Sequence, residues 1–424
     1  MECPRCTSEM TDGRCPTCGY TVATKRNDDT EMISKLKSLV TTVSIVVFLG
    51  YLILNVSVML LSVDLVLPKT LTNQSIIFIL FPIPLGLVEI SGYTFAAYYL
   101  FLVFSVIISY IVLFYTGWNE LFSYVKKTVS GKYKELDEKH KETSSPILRL
   151  VTAFGALVFI TLIYTIMLDL MGVGIEAPEE FLDRPIWQRV FSLTQAAVWE
   201  EFVTRVAYIG LPLVIYALIK GKKNTMRYLF GGFGFEEKYS VLLVIISTII
   251  FAVAHLPGWN WDPLKVIQVV PAGIFFGYLF VKDGLHSAIL IHFVWDYMFG
   301  DVPGMILDVS NLDNLFAIVM LFWATVGAFY TYSYIKKFTR WVDREDEEKR
   351  EIPKEKEEFE AKKLKDHTAG VTIGYSCPNC SYTKAEYTQK DKLRCKRCGT
   401  ESDPKSPKTQ QSKNLFQGGG WPPS

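Results

Sequence analysis

Positions 197–204 read AVWEEFVT, which sets Glu200 and Glu201 side by side in a run that otherwise has the composition of a membrane helix. Burying one carboxylate in hydrocarbon costs roughly 2.5 to 3.5 kcal/mol on an insertion scale, so two adjacent ones require partners or a polar cavity. Helix geometry separates them. Glu201 and Arg205 are four residues apart, share a face and suit a charge-assisted pair. Glu200 is turned about 100° from that face and is left to address a cavity. On the plainer reading the pair is structural and Glu200 is a passenger that stays protonated.

The surrounding sequence is that of a membrane protein. Half of the 424 residues are hydrophobic, and they gather in blocks. Eight blocks approach the roughly 20 residues that a helix needs to cross a bilayer: 39–61, 93–115, 147–170, 196–219, 239–256, 264–281, 285–299 and 314–335. A ninth, SIIFILFPIPLGLVEI at 75–90, is broken by Pro82 and Pro84 and fits a re-entrant or interfacial segment. The expected fold is therefore an all-α polytopic membrane protein of about eight transmembrane helices, with small zinc-ribbon domains at both termini. The expected boundaries are a ribbon over 1–22, a transmembrane domain over 36–338, a charged helix or linker over 339–370, a second ribbon over 371–402 and a disordered tail over 403–424.

Charge orients the bundle, because lysine and arginine favour cytoplasmic loops. Lys35 and Lys37 precede the first span, Lys126, Lys127, Lys132, Lys134 and Lys139 follow the second, and Lys220, Lys222, Lys223 and Arg227 follow the fourth. Lys336, Lys337 and Arg340 follow the last. The alternate loops, such as GVGIEAPEEFLD (172–183), are poor in lysine and often acidic. Both termini are thus expected in the cytoplasm. The 44 lysines and arginines nearly balance 43 acidic residues, so no nucleic-acid partner is expected.

All eight cysteines lie outside the apolar region, as CPRC and CPTCG around Cys3, Cys6, Cys15 and Cys18, and as CPNC and CKRCG around Cys377, Cys380, Cys395 and Cys398. Each quartet is enough for one tetrahedral thiolate zinc site, a structural metal at each end. The alternative is two disulfides per end in an exported tail. No signal-peptide pattern precedes the first quartet, which favours reduced cytoplasmic ribbons that recruit a protein partner.

Of five histidines, His140 and His367 lie in charged loops and His286 at a helix end, whereas His255 and His292 lie inside apolar spans. Asp296, four residues after His292, can orient its ring. A lone histidine in such a helix is more often a packing contact, but two of them beside an unpaired glutamate weaken that reading. With the fourth span beginning near Ala196, Glu200 lies about one turn in, and with His255 and His292 it falls in the outer portion of the membrane, away from the cytoplasm. Gly273 and Gly277 form a small-xxx-small pair suited to close helix packing. A carboxylate with imidazoles in a partly dry cavity can take a proton from water and direct the hydroxide at a peptide carbonyl.

These residues carry a resemblance. EEFVTR, FAVAH and HFVWD resemble the EExxxR, FxxxH and HxxxN/D motifs of the CAAX protease and bacteriocin-processing family of intramembrane endopeptidases, and 186–299 is similar to the type II CAAX prenyl endopeptidases. The resemblance implies that Glu200 and His255 activate the water, that His292 and Asp296 contribute the oxyanion site or further polar ligands, and that Arg205 holds the arrangement through Glu201. It implies a bilayer and a peptide or protein substrate, prenylated in the type II enzymes. Asp296 stands where the best-known members carry asparagine, and an ionised aspartate cannot donate a hydrogen bond. That leans toward metal ligation, so a catalytic zinc and a metal-independent glutamate mechanism both stay open. Two other classes fit the same residues: a proton-coupled transporter, though no matching halves are seen, and a non-catalytic scaffold whose function lies in the ribbons.

Overall fold

The computed structural model describes residues 16–18, 25–79, 86–131, 145–175, 181, 183–223, 225–235, 239–256, 262–307 and 316–339, and near the C-terminus 372–374, 377, 379–382, 384–387 and 392–402. The chain divides into two units, Met1–Tyr334 and Ile335–Ser424. The first is helical, with α1 at Lys25–Thr72, a hairpin of β1 (Gln74–Ile79) and β2 (Gly86–Ser91), α2 at Gly92–Val129 and α3 at Pro146–Leu170. There follow α4 at Ile186–Ile219, α5 at Ser240–Val253, α6 at Pro263–Lys282, α7 at Leu285–Phe299, the short α8 at Val302–Leu307 and α9 at Phe316–Thr339.

Six of these are long and apolar enough to cross a bilayer: α1 from Lys35, α2, α3, α4, α6 and α9. The protein is an integral, multi-pass membrane protein. The eight expected spans thus resolve into six long helices and two short ones. Helices α5 and α7, of 14 and 15 residues, rise only about 21 to 23 Å, less than the roughly 30 Å of a hydrocarbon core. For α7 the reason is its position. It packs against α2, α3, α4 and α6, and it is apolar nearly all round, as a helix enclosed by others must be.

Two local structures differ from the sequence expectation. Helix α4 starts at Ile186 rather than near Ala196, so Glu200 stands near the middle of a 34-residue helix and not one turn from its end. Gln188 and Arg189 hide this start from a hydropathy scan, but Pro185 is fixed for a helix entry and Val190, Phe191 and Thr194 are buried against protein. The second difference is the broken apolar stretch, whose flanks are strands: β1 pairs antiparallel with β2, with Ile76 opposite Glu89 and Phe78 opposite Leu87. Pro82 and Pro84 themselves lie outside the described residues.

Close packing is built in where glycine permits it. A Cβ on Gly273 would meet the Thr248 methyl at 2.9 Å, and one on Gly277 would meet Val244 at 2.9 Å, so the small-xxx-small pair is the seat of α6 on α5.

Beyond the end of α9, the described part of the second unit is a four-stranded antiparallel sheet, β3 (Thr372–Gly374), β4 (Lys384–Tyr387), β5 (Leu393–Cys395) and β6 (Glu401–Ser402), paired in that order. Of the N-terminal quartet only Cys18, in the 16–18 turn, is described; Cys3, Cys6 and Cys15, the linker over 340–370 and the tail over 403–424 lie outside the described residues.

Candidate active site

The EExxxR segment lies in π-helical backbone, Ala196–Glu200 and Phe202–Gly210, on either side of Glu201. Such departures from the α-helix collect at functional sites. Here the Thr204 hydroxyl donates to the Glu200 carbonyl. Arg205 Nε donates to Glu201 Oε2 at 3.2 Å with both side chains fully buried, as their spacing anticipates. Arg205 Nη1 donates to Ser247 Oγ at 2.6 Å, and Ser247 donates on to the Thr204 carbonyl at 3.0 Å. The guanidinium also lies 4.8 Å from the centre of the Phe251 ring, a cation–π contact that desolvation strengthens.

Glu201 has a second partner that helix periodicity does not reveal. His292 donates from Nδ1 to Glu201 Oε1 at 2.9 Å, across 91 residues of sequence. The ring stacks on Phe276 with centroids 4.7 Å apart and meets Phe251 edge-on at 5.8 Å. With Nδ1 committed, Nε2 is turned toward Asp296 Oδ2 at 3.4 Å and Glu200 Oε2 at 3.9 Å. Glu201 therefore clamps an arginine and a histidine together.

His255 is oriented by the same logic from its own motif. Its Nδ1 donates to the Phe251 carbonyl, one turn back, at 2.9 Å, and the Phe251 ring stands edge-on to it at 5.2 Å. The first residue of FxxxH thus supplies a carbonyl to one histidine and a ring to two histidines and an arginine.

Glu200, His255, His292 and Asp296 line one cavity of about 110 Å³, together with Ser192, Lys265 and three apolar residues. Glu201 and Arg205 are not among its lining residues; they sit behind it. Lys265, in the first turn of α6, was not singled out from sequence, although it is the one charged residue between Asp262 and Lys282. A second cavity of about 380 Å³ also borders Lys265, with Asp169 and Gln268 among its lining. On the other side of α4, Trp199 donates to the Phe78 carbonyl at 2.6 Å and Gln195 to the Ile76 carbonyl at 3.4 Å. The hairpin edge is thereby fixed to the helix that carries Glu200.

The remaining constellation is the C-terminal quartet. Cys377 Sγ lies 3.6 Å from Cys398 Sγ, and Cys380 Sγ 3.6 Å from Cys395 Sγ. Four sulfurs at the zinc–thiolate distance of about 2.3 Å in a tetrahedron stand about 3.8 Å apart, so the four cysteines suit zinc. The two knuckles repeat one geometry. Ser381 N donates to Cys377 O at 2.8 Å and Gly399 N to Cys395 O at 2.9 Å, and both Ser381 and Gly399 have positive φ. Hydrogen bonds at Thr400 hold the Cys398 thiol down, while hydrogen bonds from the neighbouring cysteine thiols push Cys380 up, so the four sulfurs share their protons as one cluster. Among the described residues, these cysteines are the group of three or more His, Cys, Asp and Glu whose ligand atoms all lie within 4.8 Å of one another. The membrane residues are not gathered that closely.

A bundle of membrane helices thus encloses a glutamate, two histidines and an aspartate around one intramembrane cavity. Residues 182–298, a little over a quarter of the chain, match the family model Type II CAAX prenyl endopeptidase Rce1-like, and this segment, which holds Glu200, His255, His292 and Asp296, is similar to that family's domain. No curated protein and no solved structure matches the chain.

Proposed function

We propose that the chain hydrolyses a peptide bond of a membrane-associated, prenylated protein, with Glu200 as general base. The observation that carries this reading is the division between two adjacent glutamates. Glu200 borders a cavity shared with His255, His292 and Asp296, while Glu201 is occupied by Arg205 and His292. A water in the cavity gives a proton to Glu200 as its oxygen bonds to the scissile carbonyl carbon, and the carbonyl π pair moves onto oxygen. Collapse breaks the C–N bond, and the amine leaves with the proton returned from Glu200. His255 and His292, each held through Nδ1, border the cavity in which the water and the reacting carbonyl would lie.

Each step above is written with protein groups; His255, His292 and Asp296 are the residues that would hold a metal at this site, and it would supply Lewis-acid activation of the water. The mid-helix position of Glu200 is compatible with a substrate entering from the cytoplasm, where both termini are proposed to lie. The C-terminal ribbon, with zinc held by four thiolates, is proposed to recruit substrate or a partner protein, and the N-terminal quartet is proposed to do likewise. The test compares membranes carrying the wild type with membranes carrying Glu200→Gln. Prenylated precursors that accumulate only with the variant support the reading, and identical proteomes would end it.

A further inference from the structure

The cavity poses an electrostatic difficulty for the hydrolysis just proposed. Asp296 faces the space in which a carbonyl oxygen would become an oxyanion, beside a Glu200 that has by then taken the water's proton, and like charges at short range repel strongly where water is scarce. The imidazole donors are partly spent: Nδ1 of His292 on Glu201, Nδ1 of His255 on the Phe251 carbonyl, and Nε2 of His292 between Asp296 and Glu200. One lysine and no arginine lines the cavity. The backbone that carries Lys265 is firmly fixed. The Asp262 side chain caps α6 by accepting from Leu264 N at 2.7 Å, Lys265 N donates to Asp262 O at 2.8 Å, and Tyr164 donates to the Leu264 carbonyl at 2.9 Å. Lys265 shares the cavity lining with Asp296 and Glu200. The first turn of a 20-residue helix adds the positive end of its dipole on the same side.

We propose that Lys265 is a catalytic residue, whose ammonium donates a hydrogen bond to the scissile carbonyl oxygen as negative charge develops there. The role rests on the hydrolytic reading above. Asp296, an acceptor when ionised, then acts as a positioning residue, holding the ammonium and the His292 ring on either side of the carbonyl. No proton need leave Lys265. The electron pair pushed onto oxygen by water attack is stabilised in place and returns to re-form the carbonyl as the amine departs. A donor aimed where charge appears only in the transition state raises kcat more than it lowers KM.

The experiment uses the full chain in detergent or liposomes with a fluorogenic prenylated CAAX peptide. Lys265→Met keeps bulk and removes charge and donors, whereas Lys265→Gln removes charge and keeps an N–H donor. Expected is a fall in kcat of about 100-fold or more for Lys265→Met, with KM and Tm close to wild type, and at least ten-fold more activity in Lys265→Gln. A peptide phosphinate, which mimics the charged tetrahedral species, should lose affinity for Lys265→Met in parallel with kcat/KM. Equal losses in the two variants, or losses confined to Tm and KM, overturn the catalytic role and leave a counter-ion. Glu200→Gln, run alongside, separates the two layers. Wild-type turnover by Glu200→Gln overturns hydrolysis by glutamate and the lysine role with it; an inert Glu200→Gln beside a fully active Lys265→Met overturns the lysine alone.

Discussion

Two faces of α4, one residue apart, put the same side chain to opposite uses. Glu201 is completely enclosed and makes two directed contacts, to Arg205 Nε at 3.2 Å and His292 Nδ1 at 2.9 Å. Glu200 is nearly as buried, 6% exposed, yet its neighbour is a cavity and its nearest basic atom in an ion pair is His292 Nε2 at 3.9 Å. A carboxylate saturated by charged partners is a fixture of the fold, because moving it leaves cations stranded in low dielectric. A carboxylate beside a cavity can exchange a proton with what enters. The difference lies in partners and not in depth.

Glu200→Gln is the sharpest probe of this comparison. The amide keeps volume and loses the base, so turnover of a prenylated peptide should drop by roughly 10³-fold or more, while thermal unfolding in detergent stays within a few degrees of wild type. A variant that retains activity would make the cavity face as structural as the other.

Substitution on the opposite face should reverse the pattern. Arg205→Ala leaves Glu201 buried with one partner gone and removes a guanidinium resting on the Phe251 ring, a loss of about 3 to 5 kcal/mol by analogy with broken buried pairs. Unfolding at markedly lower temperature, with turnover falling as a consequence, is the expected result. A stable Arg205→Ala protein would show that the clamp contributes little. Farther out, Gly277→Val would press a side chain on Val244, already 2.9 Å from an added Cβ, and should cost about 1 to 3 kcal/mol of stability without changing the pH dependence of turnover.

Local spacing made some of this legible in the sequence. The Glu201–Arg205 pair and the close-packing face at Gly273 and Gly277 both follow from i,i+4 periodicity within one helix, though not that α5 is what packs there, and the Cys377–Cys398 knuckles follow from their own short repeats. What spacing could not show is contact between distant segments. The Glu201–His292 bond spans 91 residues, and the presence of Lys265 in the cavity that Glu200 lines depends on how α6 docks on α3, α5 and α7. The early start of α4 was hidden for another reason. Hydropathy averages over a helix circumference, whereas Gln188 and Arg189 share their turns with Val190 and Phe191, which are buried. The stretch holding the hairpin edge at Ile76 and Phe78 was read as a re-entrant or interfacial segment without strands, because its hydrogen-bond acceptance from Gln195 and Trp199 is tertiary.

The smallest expected effect on chemistry comes from the other polar constellation. The C-terminal quartet presents four sulfurs at tetrahedral spacing, and four thiolates saturate a zinc ion, leaving no position for a water to be activated. Its contribution is then to fold, since so short a sheet buries too little apolar surface to stand without metal. Cys377→Ser with Cys380→Ser should release one zinc ion per chain, measured by metal analysis, and abolish the protection of the β3–β6 sheet from proteolysis. Turnover of a short prenylated peptide should stay within about two-fold of wild type, because none of the four cysteines lines the Glu200 cavity, while processing of a full-length substrate should weaken. Loss of short-peptide turnover in a variant whose helices remain folded would make the ribbon part of the catalytic machinery, and the contrast between a saturated site that holds structure and an open one that does chemistry would no longer describe this chain.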